Sequence, residues 1–164
     1  MSTTEQNLKE AFAGESQANR RYLAFAKKAE QEGYTQVAKL FRAAAEAETI
    51  HALAHLRTMK GVGSTAENLK AAIAGETFEF TKMYPAMIEA ARAEGHQLAE
   101  RFFTWANEVE KVHAELYQKA LATLESPEAA DYHVCTACGH TVAGEPPDTC
   151  PVCGAKKSAY RKVD

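Results

Sequence analysis

Two pairs in this 164-residue chain, Glu48-x-x-His51 and Glu110-x-x-His113, combine residue types and spacing that could hold redox-active metal. Three residues turn an α-helix by about 300°, so each Glu and His project from one face a turn apart and can grip the same metals. Glu15 and Glu76 offer single carboxylates from two further helical stretches. One Glu from each of two helices plus Glu-x-x-His from each of two others is the ligand set of a carboxylate-bridged di-metal site in a helical bundle.

A second metal site is written in the last 30 residues, which contain all four cysteines. Cys135-Thr-Ala-Cys138-Gly139 and Cys150-Pro-Val-Cys153-Gly154 are two metal knuckles separated by eleven residues. Glycine after each second cysteine permits the tight backbone that points amide N–H groups at sulfur. Four thiolates suit tetrahedral zinc or a single iron, and geometry alone does not choose between them. A neighbouring redox site that needs electrons delivered from outside favours iron. A tail this short builds no adequate core, so its metal must contribute much of the folding energy.

The elements that position the first set come from an internal repeat. Leu8-Lys-Glu-Ala-Phe-Ala-Gly-Glu15-Ser16 returns as Leu69-Lys-Ala-Ala-Ile-Ala-Gly-Glu76-Thr77, identical at six of nine places with an offset of 61. Further on, Tyr22 maps to Tyr84, Glu32-Gly33 to Glu94-Gly95, Phe41 to Phe103, Glu48 to Glu110 and His51 to His113, with an offset of 62. A helical hairpin is used twice, and the second copy carries one extra residue between Thr77 and Tyr84. A single insertion inside a helix predicts a π-bulge, a feature often found at functional sites. Glu79 lies in that interval with only Gln17 or Ala18 opposite it, so it breaks the symmetry.

Helical periodicity from about residue 3 to 126 is interrupted at Gly33-Tyr34, Gly61-Val-Gly63 and Gly95, which predicts four long helices. Ser64 with Glu67 reads as a capping box opening the third helix. Pro85 predicts a break or kink inside that helix, and Pro127 ends the fourth. Each helix runs about 40 Å, which places the ligands at mid-height. The expected organisation is a bundle over 1–126, a linker over 127–132 and a small domain over 133–164.

Composition excludes several classes. Hydrophobic content of 46% supports one core, and a net charge of −3 without a basic stripe argues against nucleic acid as partner. No apolar run approaches the length that crosses a bilayer, and the first residues lack a cationic and apolar signal. The expected address is the cytoplasm, where paired cysteines hold metal rather than form disulfides.

On Ala13-Gly-Glu15-Ser-Gln-Ala, Glu48-x-x-His51, Gly75-Glu76-Thr-Phe-Glu79, Met83-Tyr84-Pro85, Glu110-x-x-His113 and the knuckled C-terminus, the chain resembles the rubrerythrins over nearly its whole length. The resemblance implies an all-α four-helix ferritin-like bundle followed by a rubredoxin-like metal-knuckle domain. It implies two irons bridged by Glu48 and Glu110, one of them also held by Glu15 and the other by Glu76 and His113. The first iron would exchange His51 for Glu79 on oxidation, a choice that follows hardness, since ferric iron prefers carboxylate. Tyr22 and Tyr84 would hydrogen-bond the carboxylates and hold their orientation. The implied activity is reduction of hydrogen peroxide to water in oxidative-stress protection. A third iron on Cys135, Cys138, Cys150 and Cys153 would relay electrons from a rubredoxin or an NAD(P)H-linked flavin reductase. Within one chain that transfer looks long, and the family answers by pairing subunits, so a homodimer or higher homo-oligomer is expected.

Rival readings are a ferritin-like iron-oxidising protein with a structural zinc ribbon, and a structural bundle with an adaptor ribbon. Other notable side chains read as bystanders. His55 is a neighbour of the site, and His96, His133 and His140 are surface or hydrogen-bonding groups. Glu46 and Glu108 point to solvent, Phe102, Phe103 and Trp105 fill the core, and Lys156-Lys157 and Arg161-Lys162 form solvated positive clusters.

Overall fold

A computed structural model describes residues 3–127 and 129–163. The outer limits of the expected domains at residues 1 and 164, and position 128 of the expected linker, lie outside the described residues. Four long helical stretches precede a small sheet, and packing divides the chain into two compact units, Met1–Gly63 and Ser64–Asp164.

The first unit is a helical hairpin of α1 (Thr4–Gln31) and α2 (Thr35–Thr58). Thr3 opens α1 with a capping box to Gln6, which satisfies amides that the first turn leaves without partners. At the turn, Gly33 takes φ 84°, where a side chain would be strained. There the Tyr34 amide donates to the Ala29 carbonyl at 2.8 Å and the Gly33 amide to Glu30 at 3.1 Å. The helices meet along Ala38, Ala45 and Ala52, spaced seven apart, against Ala26, Ala29 and Asn19. Small side chains let the backbones approach, and Asn19 Nδ2 donates across the seam to the Ala45 carbonyl at 2.7 Å and to Thr49 Oγ1 at 2.8 Å.

The second unit repeats the hairpin with an insertion. Ser64 and Glu67 form the capping box that their spacing predicts, opening α3 (Thr65–Phe78). A π-helical turn, Glu79–Met83, follows and leads into α4 (Tyr84–Ala93). The Tyr84 amide reaches back five residues to the Glu79 carbonyl, so the extra residue of the repeat sits where the offset changes. Pro85 differs from expectation: helix continues through it. It occupies the first turn of α4, where a missing N–H is tolerated.

Gly95, at φ 69°, turns the chain into α5 (Gln97–Ala122), which His96 caps by accepting from the Ala99 amide at 3.2 Å. Helix α5 stops before Pro127, at Ala122, in turns closed by Thr123 N to Lys119 O and Ser126 N to Thr123 O. The residue preceding proline is disfavoured in helical conformation, and the chain leaves the helix ahead of it.

The C-terminal strands β1 (Tyr132–Cys135), β2 (Thr141–Ala143) and β3 (Tyr160–Val163) form an antiparallel sheet in the order β2-β1-β3. Register pairs His133 with Val142 on one side and with Lys162 on the other. Gly139 lies over α5: a Cβ there would stand 3.8 Å from Val109 Cγ1, itself buried.

Phe102 departs from the core reading. It is 47% exposed and meets Trp105 edge-on at 5.2 Å, with the Arg101 guanidinium over both rings at 5.4 and 5.3 Å. A cation over the ring faces shelters them in place of apolar packing.

Candidate metal centres

In the first hairpin, Glu15 on α1 and Glu48 and His51 on α2 converge, with one potential ligand atom from each inside a 4.8 Å cluster. Glu48 and His51 lie one turn apart, and Glu48 Oε2 is 3.0 Å from His51 Nδ1. Hydrogen bonding to Glu48, then burial, lifts the Glu15 carboxyl above its ordinary range, while Glu15 and His51 hold Glu48 below. Two carboxyls therefore crowd one place, where a cation would relieve them both. His55 also faces this group, close enough for its charge to act on Glu15. Tyr22 packs with Phe25 and Phe41 at ring separations of 6.3 and 6.2 Å. Glu46 and Glu108 are exposed, as their offset from the ligand face predicts.

In the second hairpin, Glu76 on α3 joins Glu110 and His113 on α5 in a matching cluster. Glu110 Oε2 stands 2.7 Å from His113 Nδ1, and Glu76 Oε1 is 3.9 Å from that nitrogen. Burial, followed by the Glu110 charge, raises both Glu76 and Glu79. Glu79, at the head of the π turn, thus faces this cluster from just outside its tightest grouping. Burial and then the charges of Glu110, Glu79 and Glu76 raise Tyr84 as well, which keeps its hydroxyl protonated. His113 is raised by its bond to Glu110 against the opposing effect of burial.

Each cluster of anionic oxygen and imidazole is a donor set for divalent iron or a similar ion. The residues fit the di-iron carboxylate chemistry that their spacing predicts.

The four cysteines form the third cluster. Sγ–Sγ separations are 3.8 Å for Cys135–Cys153 and 3.6 Å for Cys138–Cys150. A tetrahedron with metal–sulfur bonds of about 2.3 Å has edges of about 3.8 Å, so the thiols are already spaced as metal ligands. Burial raises Cys138 and Cys153. Burial would raise Cys150 too, yet donation from the Tyr160 hydroxyl and the Cys153 and Val152 amides brings it down to about 6. His140 stands behind Tyr160, with Nδ1 2.7 Å from the hydroxyl. It is buried against Tyr160 of β3, in the hydrogen-bonding role that the sequence suggests. Lys157 pairs with Glu145, and Lys162 with Asp131 at 2.8 Å, which tempers the expected positive clusters.

One contact had no signal in the sequence. His113 Nε2 lies 2.9 Å from Thr141 Oγ1, and Thr141 donates to the Gly139 carbonyl at 3.1 Å. His113 of the helical cluster therefore meets β2, just beyond the first cysteine knuckle. The two residues are 28 apart, and nothing in the local pattern of Gly139-His-Thr141 announces the pairing. A cavity of about 280 Å³, lined by His113, Leu116, Tyr117, Tyr132 and Thr141, opens beside the bridge.

Comparison with known proteins agrees with this architecture. A family model described as Rubrerythrin matches residues 6–121, and one described as Rubrerythrin, rubredoxin-like domain matches residues 133–161. The chain is 37% identical to nigerythrin of Nitratidesulfovibrio vulgaris, covering 96% of this chain and 85% of that one. It is 35% identical to rubrerythrin-2 of Clostridium acetobutylicum, with 94% and 93% covered. Rubrerythrin of Porphyromonas gingivalis is 38% identical, with 97% and 88% covered. Among solved structures, fully reduced, all-ferrous nigerythrin superposes with a TM-score of 0.61 at 36% identity, over 99% of this chain and 88% of that one.

Proposed function

The chain belongs to the rubrerythrin family, and on that premise we propose that it is a non-haem di-iron peroxidase, reducing hydrogen peroxide to two waters with two electrons and two protons. The observation that carries this reading is the presence, in one chain, of two Glu-x-x-His clusters and a tetrathiolate cage. A storage or structural protein has no need of a one-electron relay.

A bound ferrous pair would supply the two electrons and Lewis acidity toward the peroxide oxygens. Glu15, Glu48 and His51 of one cluster and Glu76, Glu110 and His113 of the other would hold it. Glu79 stands ready as an extra anionic ligand when positive charge increases, and His51, 56% exposed and tied to Glu48, is the ligand free to swing away. Tyr84 holds its proton among three carboxylates and can give it from its hydroxyl to an oxygen that gains negative charge. Tyr22 supports the first cluster by packing.

The cysteine site takes single electrons from a rubredoxin or an NAD(P)H-linked flavin reductase. The working unit is a homodimer or larger homo-oligomer. Free thiols at all four cysteines suit the reducing cytoplasm, and no helix among the described residues is long and apolar enough to cross a membrane.

Anaerobic stopped-flow mixing of fully reduced, iron-loaded protein with hydrogen peroxide tests the reading. Rapid return of both the oxo-bridged diferric and the ferric tetrathiolate absorptions is the expected result. A change confined to the di-iron absorption, with a colourless tail, would replace this function with iron oxidation beside a zinc ribbon, since the sulfur spacing fits zinc equally well.

A further inference from the structure

The sulfurs of the tail are not treated alike. Backbone amides and the other thiols surround Cys138 and Cys153, whereas Cys150 also receives a side chain, the Tyr160 hydroxyl. Tyr160 stands opposite Cys135 in the register of β1 with β3, and the Ala159 carbonyl before it accepts from the Thr136 amide and hydroxyl, each at 2.9 Å. The His140 carbonyl accepts from the Cys135 amide at 2.9 Å. Backbone bonds thus pin both residues to the first knuckle, and their side chains meet where Tyr160 reaches the second. His140 Nδ1 is 2.7 Å from the Tyr160 hydroxyl, the rings stand edge-on at 6.0 Å, and His140 and Cys150 are both buried. A cysteine that holds metal is a thiolate and can only accept, and a phenol has one proton to give. Between an anionic sulfur and an imidazole that proton goes to sulfur, since bonds to a charged acceptor are about twice as strong as neutral ones. The phenol oxygen then accepts from Nδ1–H of His140, whose ring holds the hydroxyl in place.

We propose that Tyr160, held by His140, is a positioning residue of the tetrathiolate, its hydroxyl donating to Cys150 sulfur and thereby favouring the ferrous state of an iron held there. The redox consequence rests on iron in the cage, as the peroxidase reading requires, whereas the hydrogen bond needs only a metal thiolate. Four thiolates leave ferric iron with one net negative charge and ferrous iron with two. A donor aimed at sulfur stabilises the more negative form more, which raises the reduction potential. The couple moves one electron on or off the metal. No bond forms or breaks, and the proton stays on the phenol oxygen in both states.

Two measurements on the full-length chain test this. In cadmium-loaded protein, ¹¹³Cd–¹H correlation NMR should show a coupling carried through Cys150 sulfur to the Tyr160 hydroxyl proton, a readout that needs no variant. In iron-loaded protein, spectroelectrochemical titration of the ferric tetrathiolate absorption should find Tyr160→Phe, which keeps the ring and drops the hydroxyl, shifted about tenfold toward the ferric state, or about 59 mV lower for one electron. His140→Leu, which frees the hydroxyl from its holder, should shift the potential in the same direction by less, and His140→Gln, which restores an N–H donor, should bring it back. Absence of the coupling in the wild type, or an unchanged potential in Tyr160→Phe, overturns the proposal. Neither readout uses peroxide, so a protein that passes both and fails to reduce peroxide loses the enzymatic reading and keeps the Tyr160 bond.

Discussion

The two hairpins carry the same ligands on the same helical spacing, yet they hold them differently. In the first, His51 is 56% exposed and is met through Nδ1 by Glu48. In the second, His113 is 26% exposed and is gripped on both nitrogens, by Glu110 and by Thr141. The first hairpin runs through regular helix, whereas the second spends one extra residue on a π turn that brings Glu79 to the cluster. The two copies share the donor set and differ in how many partners hold each histidine.

The largest effect should come from removing what only the second unit has. Cys150→Ser deletes a thiolate that is already drawn below its ordinary range, to about 6, by Tyr160 and the knuckle amides. The tail should lose its metal and its order, since a small metal-held domain takes its folding energy from the ion. Metal analysis should show one ion fewer per chain, and the ¹⁵N signal of His113 should shift while that of His51 stays. An unmoved His113 signal would break the link between the tail and the second hairpin.

Next comes the contrast between the histidines. His113→Ala should weaken metal retention by about tenfold more than His51→Ala, because it removes a ligand held from both sides. Competition with a chelator measures the difference, and equal losses would erase the distinction between rigid and loose. Glu79→Ala should leave metal content unchanged and slow peroxide turnover by about tenfold, since the oxidised site loses its compensating carboxylate. Unchanged turnover would remove Glu79 from the mechanism.

The smallest effects should fall where the two copies agree. Gly33 and Gly95 occupy the same positive-φ turn, with matching bonds from Tyr34 to Ala29 and from His96 to Ala91 at 2.8 Å. Alanine at either should cost about 1 kcal/mol of stability in denaturant melts, the penalty for a side chain in left-handed backbone. Unequal costs would show that the divergence reaches the turns as well.

Much of this was legible in the chain. The four helical stretches, the Ser64–Glu67 cap, both hairpin glycines and the ligand pairs rest on contacts between residues three to five apart, which spacing encodes directly. Even the π turn could be read, because a repeat whose offset grows by one must place the surplus somewhere between Thr77 and Tyr84. Burial is less legible: Phe102 reads as core but is 47% exposed beneath Arg101, and His140 meets its hydrogen-bonding partner Tyr160 only across 20 residues.

What sequence by itself determined is the ligand inventory and its grouping: two Glu-x-x-His faces, two single carboxylates and four thiols with the glycines that tighten their knuckles. Tertiary structure decided which histidine is held on both nitrogens and which on one. That choice depends on where the knuckle lands on α5, with Gly139 over the buried Val109. Packing of this kind has no periodicity to read, so a threonine 28 residues from its histidine becomes a partner only once the chain has folded.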